Sequence, residues 1–309
     1  MIDPEISVII VSYNSKKFIC DCLKSLEKQI TSRSYELLLI DSSTDGTNDL
    51  VSKTFPHVKV FHFSERKFPG DARNIGISIA KGKIIAFIDA DCRAEGNWIE
   101  MIAKAHELPH PVCGGAIANA NPESYVGWAA YFTEFSHWMP GTPPKWLNDI
   151  PAANLTYKRE IFDKYGSYRE GTYCSDTDFH WRIGKERCRL RFEPFLLVAH
   201  HNIDKLQPFL SHEFYHGRDF GRVRIRGQNF SNQKRIIYVV CGLLIPLRIF
   251  FKVAFNNLKN RVYLFRFIAS LPLLVLGIVC WSMGEVVAYA RGYTARAPLQ
   301  HRQESYEGK

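Results

Sequence analysis

The sequence has no internal repeat and no low-complexity tract across its 309 residues, which excludes a solenoid or a disordered linker as its organising feature. Its eight cysteines (Cys20, Cys22, Cys92, Cys113, Cys174, Cys188, Cys241 and Cys280) lack the paired CxxC spacing of a zinc ribbon or finger. No signal peptide precedes them, and they read as reduced thiols of a cytoplasmic catalytic domain. No GxGxxG follows the first strand-like run, so a dinucleotide cofactor loses its main support. Residues 76–83 (GISIAKGK) come near a Walker A loop, but five residues separate the glycines instead of four, and Ile84 stands where the metal-binding Ser or Thr belongs. Nor does any nucleic-acid recognition motif accompany the net charge of +9.

What the chain does have is enough apolar material, 46% of its residues, to bury a full core, and one large domain with an appendage is the natural division. We place the boundary at 1–230 and 231–309. The positive balance favours anionic partners: a nucleotide, a phosphate-bearing lipid or a membrane surface. In the first half, strand-like and helix-like segments alternate. Residues 6–12 (ISVIIVS) form a β-branched run, and residues 16–30 carry Phe18, Ile19, Cys22, Leu23 and Leu26 at helical spacing. Residues 36–40 (ELLLI) make a second strand ending at Asp41, and Asp45-Gly46-Thr47 caps a helix through Val51. A third strand over 58–63, a helix over 72–80 and a strand over 83–88 follow. This alternation predicts an α/β fold with a mostly parallel central sheet and right-handed crossovers.

Residues 84–92 (IIAFIDADC) sharpen the functional reading. A continuous apolar run ending in acid reads as a buried strand that stops at the edge of a sheet, with Asp89 and Asp91 at its C-terminal mouth, where open α/β sheets bind ligands. Paired carboxylates there suit a hard divalent cation, Mg²⁺ or Mn²⁺, which takes one or two carboxylates and leaves other positions to substrate phosphates. The alternative reading of the triplet is an Asp-rich turn that caps the next helix.

The segments SVIIVSYN (7–14), LLLIDSSTDGT (37–47), ARNIGISIAKGKIIAFIDAD (72–91), AANLTYKREIFDKYGSY (152–168) and SDTDFHWRI (175–183) occur in an order that resembles the family 2 glycosyltransferases of the GT-A fold, over roughly residues 5–205. The resemblance implies a nucleotide-sugar donor. Tyr13 would line its base pocket, Asp41 would accept a hydrogen bond from base or ribose, and Arg73 would approach the diphosphate or ribose, with Asn74 and Gly76 letting the backbone turn close. Asp89 would contact ribose or a metal-bound water and Asp91 would ligate the cation, with His200 completing the metal site. Asp176, in the second acid position of the family's ED motif, is the candidate base for the acceptor hydroxyl, ahead of Asp178. Ser175 stands where Glu is commoner, and the 41–47 motif is one residue shorter than in many relatives. Residues 148–156 (NDIPAANLT) resemble the loop that covers donor and acceptor, with Asn154 as its polar contact and Trp128, Trp138 and Trp146 available to stack on sugar rings or to fill a core.

Beyond residue 205 the chain changes in kind. Residues 216–228 (HGRDFGRVRIRGQ) offer Arg218, Arg222, Arg224 and Arg226 to phosphate. Residues 236–247 are apolar but are followed at once by Arg248, whereas residues 267–284 reach the ~18-residue threshold of a membrane span. The linker between them carries Lys252, Lys259, Arg261 and Arg266, so a two-span hairpin would break the positive-inside rule. A hairpin of C-terminal hydrophobic helices dipping into one leaflet on the cytoplasmic face avoids this. The processive synthases that resemble this family carry QxxRW, which is absent here, and that favours transfer of single sugars. The expectation is a metal-dependent inverting glycosyltransferase at the membrane, acting on a glycan or lipid-linked acceptor and not on nucleic acid. The alternatives are a sugar-nucleotide nucleotidyltransferase, disfavoured because a Gly-rich GxGxR loop is missing, and a catalytically silent membrane adaptor.

Overall fold

The structure, a computed structural model, describes residues 3–292. The expected C-terminal segment therefore loses residues 293–309, which lie outside the described part. In chain order the elements are β1 (Ile6–Ser12), α1 (Ile19–Glu27), β2 (Tyr35–Asp41), α2 (Thr47–Thr54), β3 (Lys59–His62), α3 (Pro69–Ile79), β4 (Ile84–Asp89), β5 (Cys92–Ala94), α4 (Trp98–Glu107), β6 (Val112–Asn119), α5 (Tyr125–Phe135), β7 (Lys145–Leu147), β8 (Asn154–Lys158), α6 (Glu160–Tyr165), α7 (Ser175–Lys185), β9 (Leu190–His200), α8 (Leu206–Gly227), α9 (Asn232–Val240), α10 (Leu244–Asn260) and α11 (Leu264–Arg291). They group into two compact units. The first runs to Ala120 and adds Thr142–Glu170 and Ser175–His200; the second comprises Asn121–Gly141, Gly171–Cys174 and the chain from His201 onward.

The first unit is built on a nine-stranded sheet in the order β3-β2-β1-β4-β8-β6-β9-β5, with β7 also paired to β9. From β3 to β4 all pairings are parallel, as the alternation of strands and helices requires. Beyond β4 the sheet is mixed: β8 runs antiparallel to both β4 and β6, β6 and β9 are parallel, and β5 and β7 pair antiparallel with β9. The strands β1 and β4 are buried on both faces, because helices cover the sheet, and this is why their sequences are largely continuous apolar runs instead of alternating ones. Gly76 belongs to this packing. Its Cβ would sit 2.5 Å from Ile9 Cγ2, so its small size seats α3 on β1 and does not serve a phosphate turn.

The strand β8 departs most from the sequence reading. Its first residue, Asn154, was expected to reach substrate from a covering loop, yet it is fully buried in the middle of the sheet. Its side chain accepts from Trp98 Nε1 at 2.9 Å and donates to the carbonyls of Ala116 and Leu196. Those two carbonyls flank the irregularity where the β6–β9 register shifts between Gly115 and Ala116. Asn154 therefore satisfies backbone groups that the broken ladder leaves over.

The second unit is helical among the described residues. Its longest pairing sets α8 beside α11 at backbone contact: a Cβ at Gly217 would meet the Trp281 carbonyl oxygen at 2.1 Å, and one at Gly284 the Phe214 carbonyl oxygen at 1.9 Å. Arg224 on α8 donates to Glu285 on α11 at 2.9 Å, and Tyr289 also bonds Glu285. The helices α9 and α10 are bent by 75° at a short break, so the first apolar stretch of the sequence is not one continuous helix. Trp128 is buried against Tyr131, Phe132 and Tyr263, a packing role and not a sugar platform.

Candidate active site

Parallel strands end at a common edge, and the side chains singled out in the sequence gather along it. β1 and β4 are register partners at Val11 and Asp89, and β1 and β2 at Ser12 and Asp41, so Tyr13, Asp41 and Asp89 leave the sheet at one level. The antiparallel β5–β9 pairing then sets Cys92 opposite His200, which returns the end of a distant strand to the Asp89–Asp91 turn. There His200 Nε2 lies 3.5 Å from Asp91 Oδ1. Both side chains are partly accessible. The neighbouring Cys92 offers a sulfur to the same point, but it is fully enclosed, and burial followed by the charges of Asp91 and Asp89 holds its thiol well above the ordinary range. It remains a protonated thiol, a poor ligand for hard cations.

Asp89 has a different partner. Its Oδ1 accepts from the Arg73 guanidinium at 3.1 Å, and Arg73 is nearly buried beneath it, against the Phe87 ring. Burial opposes the Arg73 charge, but Asp89 and then Asp176 outweigh it and raise its pKa, which also places Asp176 within electrostatic reach. Asn74, expected to help the backbone approach phosphate, is occupied elsewhere: it exchanges two 2.9 Å hydrogen bonds with the backbone of Tyr168.

At the base-pocket end, the Tyr13 ring carries the Arg66 guanidinium at 3.9 Å, a cation–π contact. Arg66 was not singled out in the sequence, because nothing local marks a residue that stacks across a loop. Asp41 is fully buried. It accepts from the Ser43 hydroxyl at 2.5 Å and amide at 3.1 Å, and from His62 Nδ1 at 2.7 Å. Its carboxylate thus fixes the short 41–47 loop and His62, instead of projecting into open space.

On α7 the two candidate bases separate. Asp178 is buried, with Arg169 3.4 Å away. Asp176 is partly accessible in the first turn, where its Oδ2 accepts from the Ala152 amide at 3.1 Å. The helix itself is pinned by a buried relay absent from the sequence reading: Asp149 to His180 Nδ1 at 2.7 Å, His180 Nε2 to the Tyr157 hydroxyl at 2.6 Å, and Tyr168 to Tyr157 at 3.3 Å. Burial, followed by Tyr168, raises the Tyr157 pKa well above the usual phenol range. Tyr157 therefore donates to Nε2, which leaves the Nδ1 proton for Asp149. At the start of α7, Ser175 fits against Gly70, whose Cβ would lie 2.6 Å from the Ser175 Cβ. A larger residue such as Glu at 175 would collide with α3 there, a physical reason for the serine. In the second unit, Arg224 is committed to Glu285, and Arg218 and Arg222 both lie within 4 Å of Asp219, so this basic segment is partly neutralised by its own acids.

Comparison with known proteins gives the same picture. Glycosyltransferase AglE of Haloferax volcanii is 27% identical over 184 residues, 58% of this chain and 60% of that protein. Glycosyltransferase GlyG of Streptococcus pneumoniae is 33% identical over 101 residues, 31% of this chain and 33% of the relative. The chain thus spans 60% or less of the length of these curated relatives. Among solved structures, the Pyrobaculum calidifontis mannosyltransferase PcManGT, in complex with GDP-Man and Mn²⁺, superposes with a TM-score of 0.63 at 17% identity, over 94% of this chain and 88% of that one. S. aureus TarS 1–349 with UDP-GlcNAc gives 0.54 at 16%, over 94% and 93%. These likenesses establish the shared fold. The pattern described as Glycosyl transferase family 2 matches residues 7–166, over half of the chain, and with the strand-mouth acids in place this protein belongs to the family 2 glycosyltransferases.

Proposed function

We propose that the protein transfers one sugar from a nucleotide-sugar donor to an acceptor hydroxyl, with inversion at the anomeric carbon, and that a divalent cation takes part. The observation that carries this is the approach of His200 Nε2 to within 3.5 Å of Asp91 Oδ1 beside the Asp89–Arg73 pair. A carboxylate and an imidazole at that separation fit adjacent positions of one six-coordinate ion, which places cis ligands roughly 3 Å apart. An N,O donor pair suits Mn²⁺, and Mg²⁺ less well. Such an ion would neutralise the diphosphate as it leaves. Asp89 and Arg73 orient donor ribose and diphosphate, Tyr13 and Arg66 offer a stacked edge for the base, and Asp41 keeps the loop beneath it in shape. Asp176, held by the Ala152 amide, takes the acceptor proton as its oxygen attacks from the face opposite the leaving group. A thermal-shift screen of nucleotide sugars with Mn²⁺ tests the reading: the donor should raise the melting temperature through binding to the native state alone, and the absence of any Mn²⁺-dependent shift across UDP-, GDP- and other nucleotide sugars would count against it.

The second unit supports a membrane-surface location on the cytoplasmic side, with a glycan or lipid-linked acceptor. The helix α11 is long and apolar enough to cross a bilayer. Along one face, however, it lies on α8, which carries Arg218, Asp219, Arg222, Arg224 and Arg226, a helix too charged to accompany it through hydrocarbon. Its other face exposes Phe265, Ile268, Leu276 and Met283, and α9–α10 expose Ile236, Val240, Leu243, Phe251 and Phe255. This is the pattern of helices lying in the interface, apolar side down.

A further inference from the structure

The second unit holds a cluster of ligand-type side chains that the transfer reaction does not use. The helix α8 runs through His212-Glu213-Phe214-Tyr215-His216, a spacing that sets two imidazoles one turn apart on the same helix face. Glu134, in the last turn of α5, reaches both: its Oε1 is 2.7 Å from His212 Nε2 and 4.0 Å from His216 Nδ1. One ligand atom from each of the three residues lies within 4.8 Å of the others, and the two imidazole rings are 5.3 Å apart.

Glu213 supplies a second, independent observation. It is fully buried, and neither carboxylate oxygen has a hydrogen-bond partner among the described residues. Burial, then the charge of Glu134, holds its carboxyl well above the usual range. A sealed carboxyl with no hydrogen-bond partner carries a desolvation cost that protein contacts leave unanswered, and a cation held by Glu134, His212 and His216 would supply positive charge next to it.

We propose that Glu134, His212 and His216, backed by the buried Glu213, form a second metal site, which takes a borderline divalent cation of the zinc class. Two imidazoles with carboxylates match Zn²⁺ rather than Mg²⁺. Zinc–ligand bonds of about 2.1 Å in a tetrahedron put ligand atoms roughly 3.4 Å apart, between the 2.7 and 4.0 Å already present. Because Glu213 is sealed from solvent, the site is structural in kind, a staple joining α5 to α8. It shares no residue with the Asp91–His200 pair.

The test titrates the full-length protein with Co²⁺, whose visible absorption reports four-coordinate ligation by nitrogen and oxygen. An Asp91→Asn variant should still show a saturable Co²⁺ spectrum that Zn²⁺ abolishes, and a His212→Gln/His216→Gln variant should lose it. Glu213→Gln should weaken Co²⁺ binding about 10-fold or more. The proposal is overturned if the Asp91→Asn protein gives no saturable spectrum, a result independent of whether the histidine variants fold. It is equally overturned if the doubly substituted protein, folded by circular dichroism, keeps the spectrum, and unchanged Co²⁺ affinity in Glu213→Gln removes Glu213 from any part in the site.

Discussion

Asp176 and Asp178 stand two residues apart on α7, and the fold gives them different surroundings. Asp178 is buried beside Arg169, whereas Asp176 keeps access to solvent while its two oxygens each accept from one backbone amide, Ala152 and Thr177. A carboxylate that serves as base must be reachable and must keep lone pairs for the incoming hydroxyl. Asp176→Asn should therefore lower kcat by ~10²- to 10⁴-fold with little change in donor affinity, and the residual product should carry the inverted anomer. Retained configuration in that product, read by NMR, would remove Asp176 from the role. The acids of the candidate site were legible in the sequence as positions, because each ends a strand or opens a helix. Their partners were not. Arg66, Asp149 and His62 come from loops and short elements, and only the folded chain brings them to Tyr13, His180 and Asp41. Conversely, Asn74, Gly76 and Asn154 sit inside recognisable motifs, yet the structure assigns them to packing and to backbone groups left over by a shifted ladder.

At the scale of elements, the parallel half of the sheet could be read in advance because buried β-branched runs alternate with amphipathic helices. β8 could not. A five-residue strand, Asn154–Lys158 (NLTYK), is too short for its alternation to stand out from the flanking loop, and its antiparallel insertion between β4 and β6 is set by tertiary pairing. Helix α4 is locked to β8 by His106, whose ring bonds the His110 carbonyl at 2.9 Å and the Thr156 hydroxyl at 2.8 Å. Burial lowers its pKa from the ordinary 6.5 to about 4. Between those values the unfolded chain binds a proton that the folded one refuses, so stability rises with pH in that window. The contribution is fully present above pH 6.5 and is lost as pH falls toward 4, an effect of up to roughly 3 kcal/mol. Urea melts of the wild type should show this loss, and His106→Gln should flatten it. An equally steep acid limb in the variant would assign the dependence to other groups.

On the scale of the whole molecule, sequence and structure meet over the apolar C-terminal helices, though their arrangement followed from packing that hydropathy does not encode. The close approach of α11 to charged α8 rests on Gly217 and Gly284. The linker between α10 and α11 is tied to the Asn121–Gly141 segment, where Asn260 donates to the Pro140 carbonyl and Tyr263 packs on Trp128. Asn257 is buried against Ser136, so the informative position is the exposed Lys259 in the last turn of α10. In a variant whose only cysteine replaces Lys259, an impermeant thiol reagent should label from the catalytic face of sealed vesicles alone; labelling from the opposite face would establish a two-span hairpin.

The central claim is that Asp91, with His200, holds the cation on which donor turnover depends. Its most direct test is the release of nucleoside diphosphate from the cognate donor, measured against Mn²⁺ concentration for the wild type and for Asp91→Asn, with circular dichroism confirming the fold of both. The account predicts saturable Mn²⁺ dependence in the wild type and a loss of ~10²-fold or more in the variant at every Mn²⁺ concentration. A folded Asp91→Asn protein that turns over donor with the wild-type rate and Mn²⁺ dependence would contradict it.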